Sequence, residues 1–352
     1  MKIDLTTPNA YVKSLDWANK QINLLKMTRA DYNASSFLDA RTISSEPEFS
    51  VSINELIAQL NAAKFKPRRS NYIFHTTFCG STLLARCLDS PDICFALKEP
   101  SLLHDFSFFY RDRWPNLDVP DRDQWLAIAI TLLSRTYTDN EVPLIKPSDS
   151  CNNLAGRMLS HHRENRGLLL YSSLPNFCIS MLTHETRLVY LRRTMPRAVS
   201  DLNHLGFDVY ESSAKSDAQL VGLVWFSMIA QHLDILSKPE MPVFSLDAAL
   251  FYDDPQATLE RLSAFFKLSH TSEGLANIIE KGAFVRDSKK MDTSFDKEKS
   301  RELKRLKRIE IWPEIERAQS FIQQITQRKD IPKTLPRCLF DRPEEWGASN
   351  PE

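Results

Sequence analysis

Between residues 71 and 247 the sequence repeats one pattern: a short apolar run, a turn of small polar residues, then a stretch with helical spacing. The runs are Tyr72-Ile73-Phe74, the apolar segment that ends in Lys98-Glu99-Pro100, Val142 to Ile145, Gly167 to Tyr171, and Val243 to Asp247. Each is apolar throughout rather than alternating, as expected of a strand covered on both faces. Strands linked through helices pair in parallel, so the pattern predicts an α/β fold, a three-layer α/β/α arrangement around a central parallel sheet.

The first repeat carries chemistry as well as structure. Its strand leads into a turn at Gly80 and then a helix whose apolar face is Leu83, Leu84, Cys87 and Leu88. A helix that starts at Ser81 and Thr82 aims unpaired backbone N–H groups into the turn, and the two hydroxyls stand beside them. Gly80 lets the backbone approach an anion closely, and with only 8 glycines in 352 residues its placement is informative.

Composition narrows the partners. The 45 basic and 45 acidic residues cancel, so the surplus positive charge of a nucleic-acid or anionic-membrane binder is missing, and any anion site has to be local. Six cysteines lie scattered without Cys-x-x-Cys spacing, which predicts thiols in a reducing compartment. The N-terminus lacks the apolar core of a signal peptide, and a cytoplasmic location is the expectation, with neither nucleic acid nor membrane as partner. The loop lacks the first glycine and the lysine of Gly-x-x-x-x-Gly-Lys-Ser/Thr, which disfavours a magnesium-dependent kinase or ATPase. The histidines show no metal-ligand spacing, and no metal is expected. Cys79 with Arg86 is a near miss for a cysteine phosphatase, whose cysteine and arginine stand one residue closer.

Residues 1–66 read as a helical extension, with Tyr11, Leu15, Trp17 and Ile22 or Leu24 on one face and a second helix from Ile53 to Ala63 started by Ser52 or Asn54. Residues 67–325 form the α/β domain. Within it helices are expected from Asp121 to about Tyr137, from about Asn152, from Ser173-Leu174-Pro175 to Leu182, over 217–237, and from Asp254-Pro255 onward. The aromatic stretch Phe106, Phe108, Phe109, Tyr110 and Trp114 suits either core packing or a ring-bearing acceptor. Residues 326–352, rich in proline and charge, read as a wrapping tail.

In their order, these segments resemble the sulfotransferase superfamily of P-loop-type folds, whose donor is 3′-phosphoadenosine 5′-phosphosulfate (PAPS). The resemblance covers roughly residues 70 to 268. It implies that the turn Thr77, Phe78, Cys79, Gly80, Ser81, Thr82 binds the 5′-phosphosulfate, although Phe78 stands where the family has a basic residue. Lys98 or Lys146 would then supply the charge from another element. Glu99 aligns with the catalytic glutamate of several branches and is the expected general base, a role that needs a carboxylate within reach of the acceptor; His104 is the second candidate. Lys146-Pro147 resembles the strand-end lysine motif, which directs Lys146 into the cleft, although a solvated strand-end lysine fits the pattern too.

The family binds the donor's 3′-phosphate through an arginine and a serine eight residues later, and two stretches fit that role. Ser172 with Ser180 has the right distance from Lys146, with serine in the arginine's place, while Arg192 with Ser200 has the right spacing on a predicted basic helix. The first is preferred for topology, with Arg192 and Arg193 still in reach of the phosphate, for which a planar guanidinium is well suited. The basic segment from Ser288-Lys289-Lys290 to Arg301 lies where the family closes over the donor. The implied reaction is sulfuryl transfer to a hydroxyl or amine of a small-molecule acceptor. A nucleotide-binding scaffold without that activity is the alternative.

Overall fold

The computed structural model describes residues 4–44, 48–111, 122–281, 297–327, 329, 331, 332 and 334–340. In chain order the elements begin with β1 (Ala10–Asp16), β2 (Gln21–Lys26), α1 (Arg29–Ala34), β3 (Phe49–Ser52), α2 (Ile53–Ala62), β4 (Asn71–His75), α3 (Ser81–Leu88) and β5 (Cys94–Lys98). There follow α4 (Leu102–Phe109), α5 (Arg122–Leu133), β6 (Val142–Lys146), α6 (Ala155–Ser160), β7 (Arg166–Tyr171), α7 (Leu174–Leu182), α8 (Glu185–His204) and α9 (Asp217–Leu236). The chain closes with β8 (Val243–Asp247), α10 (Ala248–Asp253), α11 (Pro255–Phe266), α12 (Ser272–Lys281), α13 (Lys297–Glu310) and α14 (Trp312–Thr326). A five-stranded sheet in the order β5-β6-β4-β7-β8 is flanked by helices, the mixed α/β class expected from the repeated pattern. All five apolar runs are its strands. A second, three-stranded sheet has the order β1-β2-β3.

The described residues fall into two compact units. One lies within Met1–Phe74, Ser81–Gly167 and Gln256–Thr293, the other within His75–Gly80, Leu168–Pro255 and Ser294–Glu352.

In the first unit β5 pairs in parallel with β6, from Cys94↔Val142 to Lys98↔Lys146, and β4 pairs with β6. That register brings the ends of β5 and β6 level, where the Glu99 N–H donates to the Lys146 carbonyl at 2.6 Å. The N-terminal residues correct the helical expectation: β1, β2 and β3 form an antiparallel sheet, and among the described residues only α1 and α2 are helical. Tyr11 and Leu15 are four apart, a spacing that serves a helix face and one face of a strand alike. A bulge between Val12 and Ser14 further breaks the two-residue alternation by which a strand is recognised. The expected second helix is present as α2, with the Ser52 hydroxyl accepting from the Glu55 N–H.

Buried Arg135 donates to the carbonyls of Leu132, Leu5 and Ala10, which ties the end of α5 to the start of β1. Helix α5 stops at Leu133 rather than running on to Tyr137, and Asp121 lies outside the described residues. Part of the aromatic stretch packs inward: Phe106 and Phe109 meet Trp17 edge-on at 5.3 and 4.7 Å, and Trp17 in turn meets Trp125, while Phe108 is exposed. Trp114 lies outside the described residues.

The second unit is organised around α9. This helix is long and apolar enough to cross a bilayer, but 83% of its apolar window is buried inside the fold, as in a core helix. It meets α14 at Gly222, where an added Cβ would stand 3.0 Å from the Ala318 carbonyl oxygen. The chain's last described stretch covers β8: the Ser245 N–H donates to the Arg337 carbonyl and the Leu339 N–H to the Ser245 carbonyl. Pairing of this kind satisfies an edge that would otherwise be open.

Within α9, His232 is buried, and neither ring nitrogen has a hydrogen-bond partner among the described residues. Burial, then the neighbouring His75, push its imidazole down to about 3. The unfolded chain therefore takes up a proton below pH 6.5 that the folded chain refuses, and stability contributed above that pH is lost progressively as pH falls toward 3. For this one group the loss amounts to about 2 kcal/mol between pH 7 and 5. Urea unfolding at both pH values should show that His232→Met loses about that much less than the natural chain on acidification. Equal losses in the two proteins would refute this account of the histidine.

Candidate functional site

The expected site residues form two clusters, one around the end of β5 in the first unit and one around the turn after β4, whose residues from His75 to Gly80 belong to the second unit. In the first unit the anchor is Glu99, which directly follows β5 with φ +53 although Pro100 comes next. The residue before a proline is ordinarily extended, so a left-handed glutamate here is held by its surroundings. Its side chain is 9% exposed, and its Oε1 accepts from the Lys146 ammonium at 2.5 Å. Lys146 has no exposed surface: it is neither a solvated strand-end lysine nor available at a distance, being committed to Glu99. The other oxygen, Oε2, accepts from Arg41, whose guanidinium also grips Asp39 and lies 3.8 Å over the Phe37 ring.

Arg41 arrives on the segment that follows α1. That segment is stitched to the strand end by Leu38, whose N–H donates to the Lys98 carbonyl and whose carbonyl accepts from the Ser101 N–H and the Tyr11 hydroxyl. Lys98 turns the other way. Its ammonium donates to the Tyr32 carbonyl at 2.7 Å, and burial brings it down to about 8, so it is not the charge that the loop lacks.

His104, on α4, is half-buried. Burial lowers its pKa against the opposing pull of Asp39, Glu99 and Asp149, which leaves a neutral imidazole beside carboxylates. Its Nε2 has no hydrogen-bond partner among the described residues.

The second cluster is the turn after β4. The Thr76 N–H donates to the Leu170 carbonyl, and the Thr76 hydroxyl accepts from the Ser172 N–H at 3.0 Å, which fixes the turn against the end of β7. Ser172 is buried, and its carbonyl accepts from the Trp225 indole N–H on α9. Thr77 is half-buried. Phe78 and Gly80 both have positive φ, +59 and +84, and Tyr252 of α10 closes over Gly80. Ser81 and Thr82 follow directly as the first residues of α3, each 5% exposed. A turn with two left-handed residues running into a helix start turns successive N–H groups toward one point, as an anion nest does.

The Cys79 thiol is 2% exposed and donates to the Leu170 carbonyl at 3.8 Å. Arg86 donates instead to the carbonyls of Asn33 and Ser35. The two are not arranged as a phosphatase's nucleophile and its phosphate clamp.

Ser180 lies on α7, half-buried, with its carbonyl accepting from Arg187 at 2.6 Å. Arg192 and Arg193 are exposed on α8, the helix expected there, and Arg192 is engaged by Asp217 at 2.7 Å. The basic segment's residues 282–296 lie outside the described residues; α13 follows from Lys297. Sequence reasoning missed Arg41, Asp39 and Arg187. Nothing in their local context marks them, because Arg41 and Arg187 meet Glu99 and Phe78 from far along the chain, and Asp39 acts through Arg41.

The fold and these clusters define an α/β protein with a glycine-containing strand–turn–helix segment after β4 and a buried carboxylate–ammonium pair where β5 and β6 end. Solved structures similar to the chain include three sulfotransferases or sulfotransferase domains. One is a sulfotransferase domain from the curacin biosynthetic pathway, 14% identical, covering 65% of this chain and 84% of that one with a TM-score of 0.40. Another is a sulfotransferase from Alicyclobacillus acidocaldarius, 16% identical over 76% of this chain and 98% of that one, TM-score 0.34. The third is the sulfotransferase domain of the Synechococcus PCC 7002 olefin synthase, 13% identical over 76% and 97%, TM-score 0.38. No family model and no curated protein matches the chain.

Proposed function

We propose that the chain is a sulfotransferase-type enzyme that moves a sulfuryl group from PAPS to a hydroxyl or amine of a small acceptor. The turn from Phe78 to Thr82 carries this reading: two left-handed residues are followed directly by a helix start whose first two residues are buried and hydroxyl-bearing. Such a cradle fits the tetrahedral, dianionic end of a phosphosulfate, whose leaving phosphate gathers charge as the sulfur–oxygen bond breaks. Gly80, Ser81 and Thr82 would hold that group, while Ser172, Ser180, Arg192 and Arg193 remain the positions proposed for the 3′-phosphate. In the transfer the acceptor oxygen or nitrogen bonds to sulfur, the bridging oxygen leaves with phosphate, and the acceptor's proton goes to a base.

Two residues compete for that proton. Glu99 has each oxygen on a cation, Lys146 and Arg41, and a carboxylate so held is a weak base. His104 is neutral, half-buried and has an unpartnered nitrogen, so the reading gives it proton abstraction and gives Glu99 with Lys146 the positioning of charge. The occupied carboxylate also favours the second reading, a nucleotide-binding scaffold without transfer.

Calorimetry with 3′,5′-phosphoadenosine separates binding from its absence: saturable 1:1 binding is expected, and no heat at millimolar nucleotide would sink the sulfotransferase reading. In turnover assays with PAPS and a panel of hydroxyl and amine acceptors, His104→Gln should abolish transfer yet keep nucleotide affinity. Binding without turnover of any acceptor would leave the scaffold reading in place.

A further inference from the structure

A cationic side chain of the same unit meets Phe78. Phe78 stands where a basic side chain would face the donor, and the guanidinium of Arg187, from the first turns of α8, lies 4.6 Å over its ring. Tyr190, one helical turn further on, meets the same ring edge-on with centroids 6.2 Å apart. Stacking on an aromatic face holds a guanidinium flat and in place without neutralising it.

The hydrogen bonding of Arg187 is incomplete. One Nη donates to the Ser180 carbonyl, and no carboxylate pairs with it among the described residues, whereas Arg192 on the same helix has Asp217. Arg187 is half-buried, and burial disfavours its charged form. His184, beside it, is lowered by burial and then by Arg187 and Lys307, so the surroundings are positive. A guanidinium in such a place without a counter-charge is the arrangement expected beside an anion site.

We propose that Arg187 is the anion-binding cation of the loop: the positive charge has moved from the turn to α8, and Phe78 is the platform that positions it. The ligand group is the phosphosulfate, or the 5′-phosphate, of the donor, so the inference rests on the reading of the loop given above. It adds a residue and a division of labour which that reading does not contain.

The test is calorimetry with 3′,5′-phosphoadenosine on the full chain. A charge-assisted hydrogen-bonding partner is lost in Arg187→Ala, which should weaken binding roughly ten- to hundredfold. Arg317→Ala, an exposed arginine paired with Glu314 on α14, should bind as the natural chain does. Restoring a charge at the loop by Phe78→Arg in the Arg187→Ala background should recover most of the affinity, which a purely structural role for Arg187 would not allow. Thermal unfolding of each variant checks that it folds, and Arg187→Lys, which keeps the charge but not the planar stack, should fall between the extremes. If the natural chain binds and Arg187→Ala binds equally well, the inference is overturned while the function stands. Failure of Phe78→Arg to rescue a folded Arg187→Ala variant also overturns it. Absence of binding by the natural chain overturns both.

Discussion

Glu99→Ala is expected to destabilise the protein by about 3–5 kcal/mol, because it takes the carboxylate from a lysine that has no exposed surface. The size follows from the asymmetry of buried ion pairs. Formed, the pair contributes little net, since the attraction of Lys146 for Glu99 mainly offsets the cost of taking both from water. Broken, it leaves the ammonium to bear that cost without its counter-ion. Arg41 would lose a partner too, but its side chain is 53% exposed and water can replace the contact. Two comparisons isolate the mechanism. Glu99→Gln keeps the shape and one acceptor oxygen for Lys146 and should cost less than alanine. Replacing both members, Lys146→Met with Glu99→Leu, should recover much of the loss, since an apolar pair of similar volume needs no solvation. Urea midpoints for the four proteins provide the test, and a Glu99→Ala protein within 1 kcal/mol of the natural chain would show that the pair is not the buried unit its geometry describes.

Gly80→Ala should be nearly as damaging, and for donor binding more so. Two independent costs meet at this residue. Its φ of +84 lies in the left-handed region, where a Cβ meets its own backbone at roughly 1–2 kcal/mol. The same Cβ would come within 2.4 Å of the Tyr252 hydroxyl and 3.0 Å of its ring carbon, so α10 or the turn must move. Either movement shifts the N–H groups of the turn, on which the proposed donor site rests. Nucleotide affinity should fall at least tenfold, the loss of one charge-assisted hydrogen bond, alongside a drop in melting temperature. Adding Tyr252→Phe removes the hydroxyl contact but not the backbone strain, so it should restore part of the stability and little of the affinity. Full recovery on removing the hydroxyl would mean that strain at Gly80 is unimportant.

How much of this was legible in the sequence depended on the range over which each signal acts. The five strands of the parallel sheet were readable because a strand covered on both faces writes its burial into consecutive residues, as in Tyr72-Ile73-Phe74. The turn at Gly80 was readable because only glycine accepts such a φ cheaply and a helix start follows it directly. The N-terminal sheet was not: Tyr11 and Leu15 sit at a spacing that both structures use, and the bulge at Val12 hid the alternation. The aromatic run was ambiguous for a similar reason, until Trp17 was found packed against Phe106 and Phe109.

The sequence by itself determined the α/β class, the five strand segments of the central sheet, the turn at Gly80 and the residues at the strand ends, Glu99 and Lys146. Backbone conformation and apolar burial are dictated within a few residues, and those signals survive without any tertiary knowledge. Only the tertiary structure decided what the charges do. Arg41 reaches Glu99 from 58 residues away, Lys98 is spent on Tyr32, and Arg187 stacks on Phe78 from α8. A charge acts through space and is valued by its burial and its partners, neither of which its neighbours in sequence record.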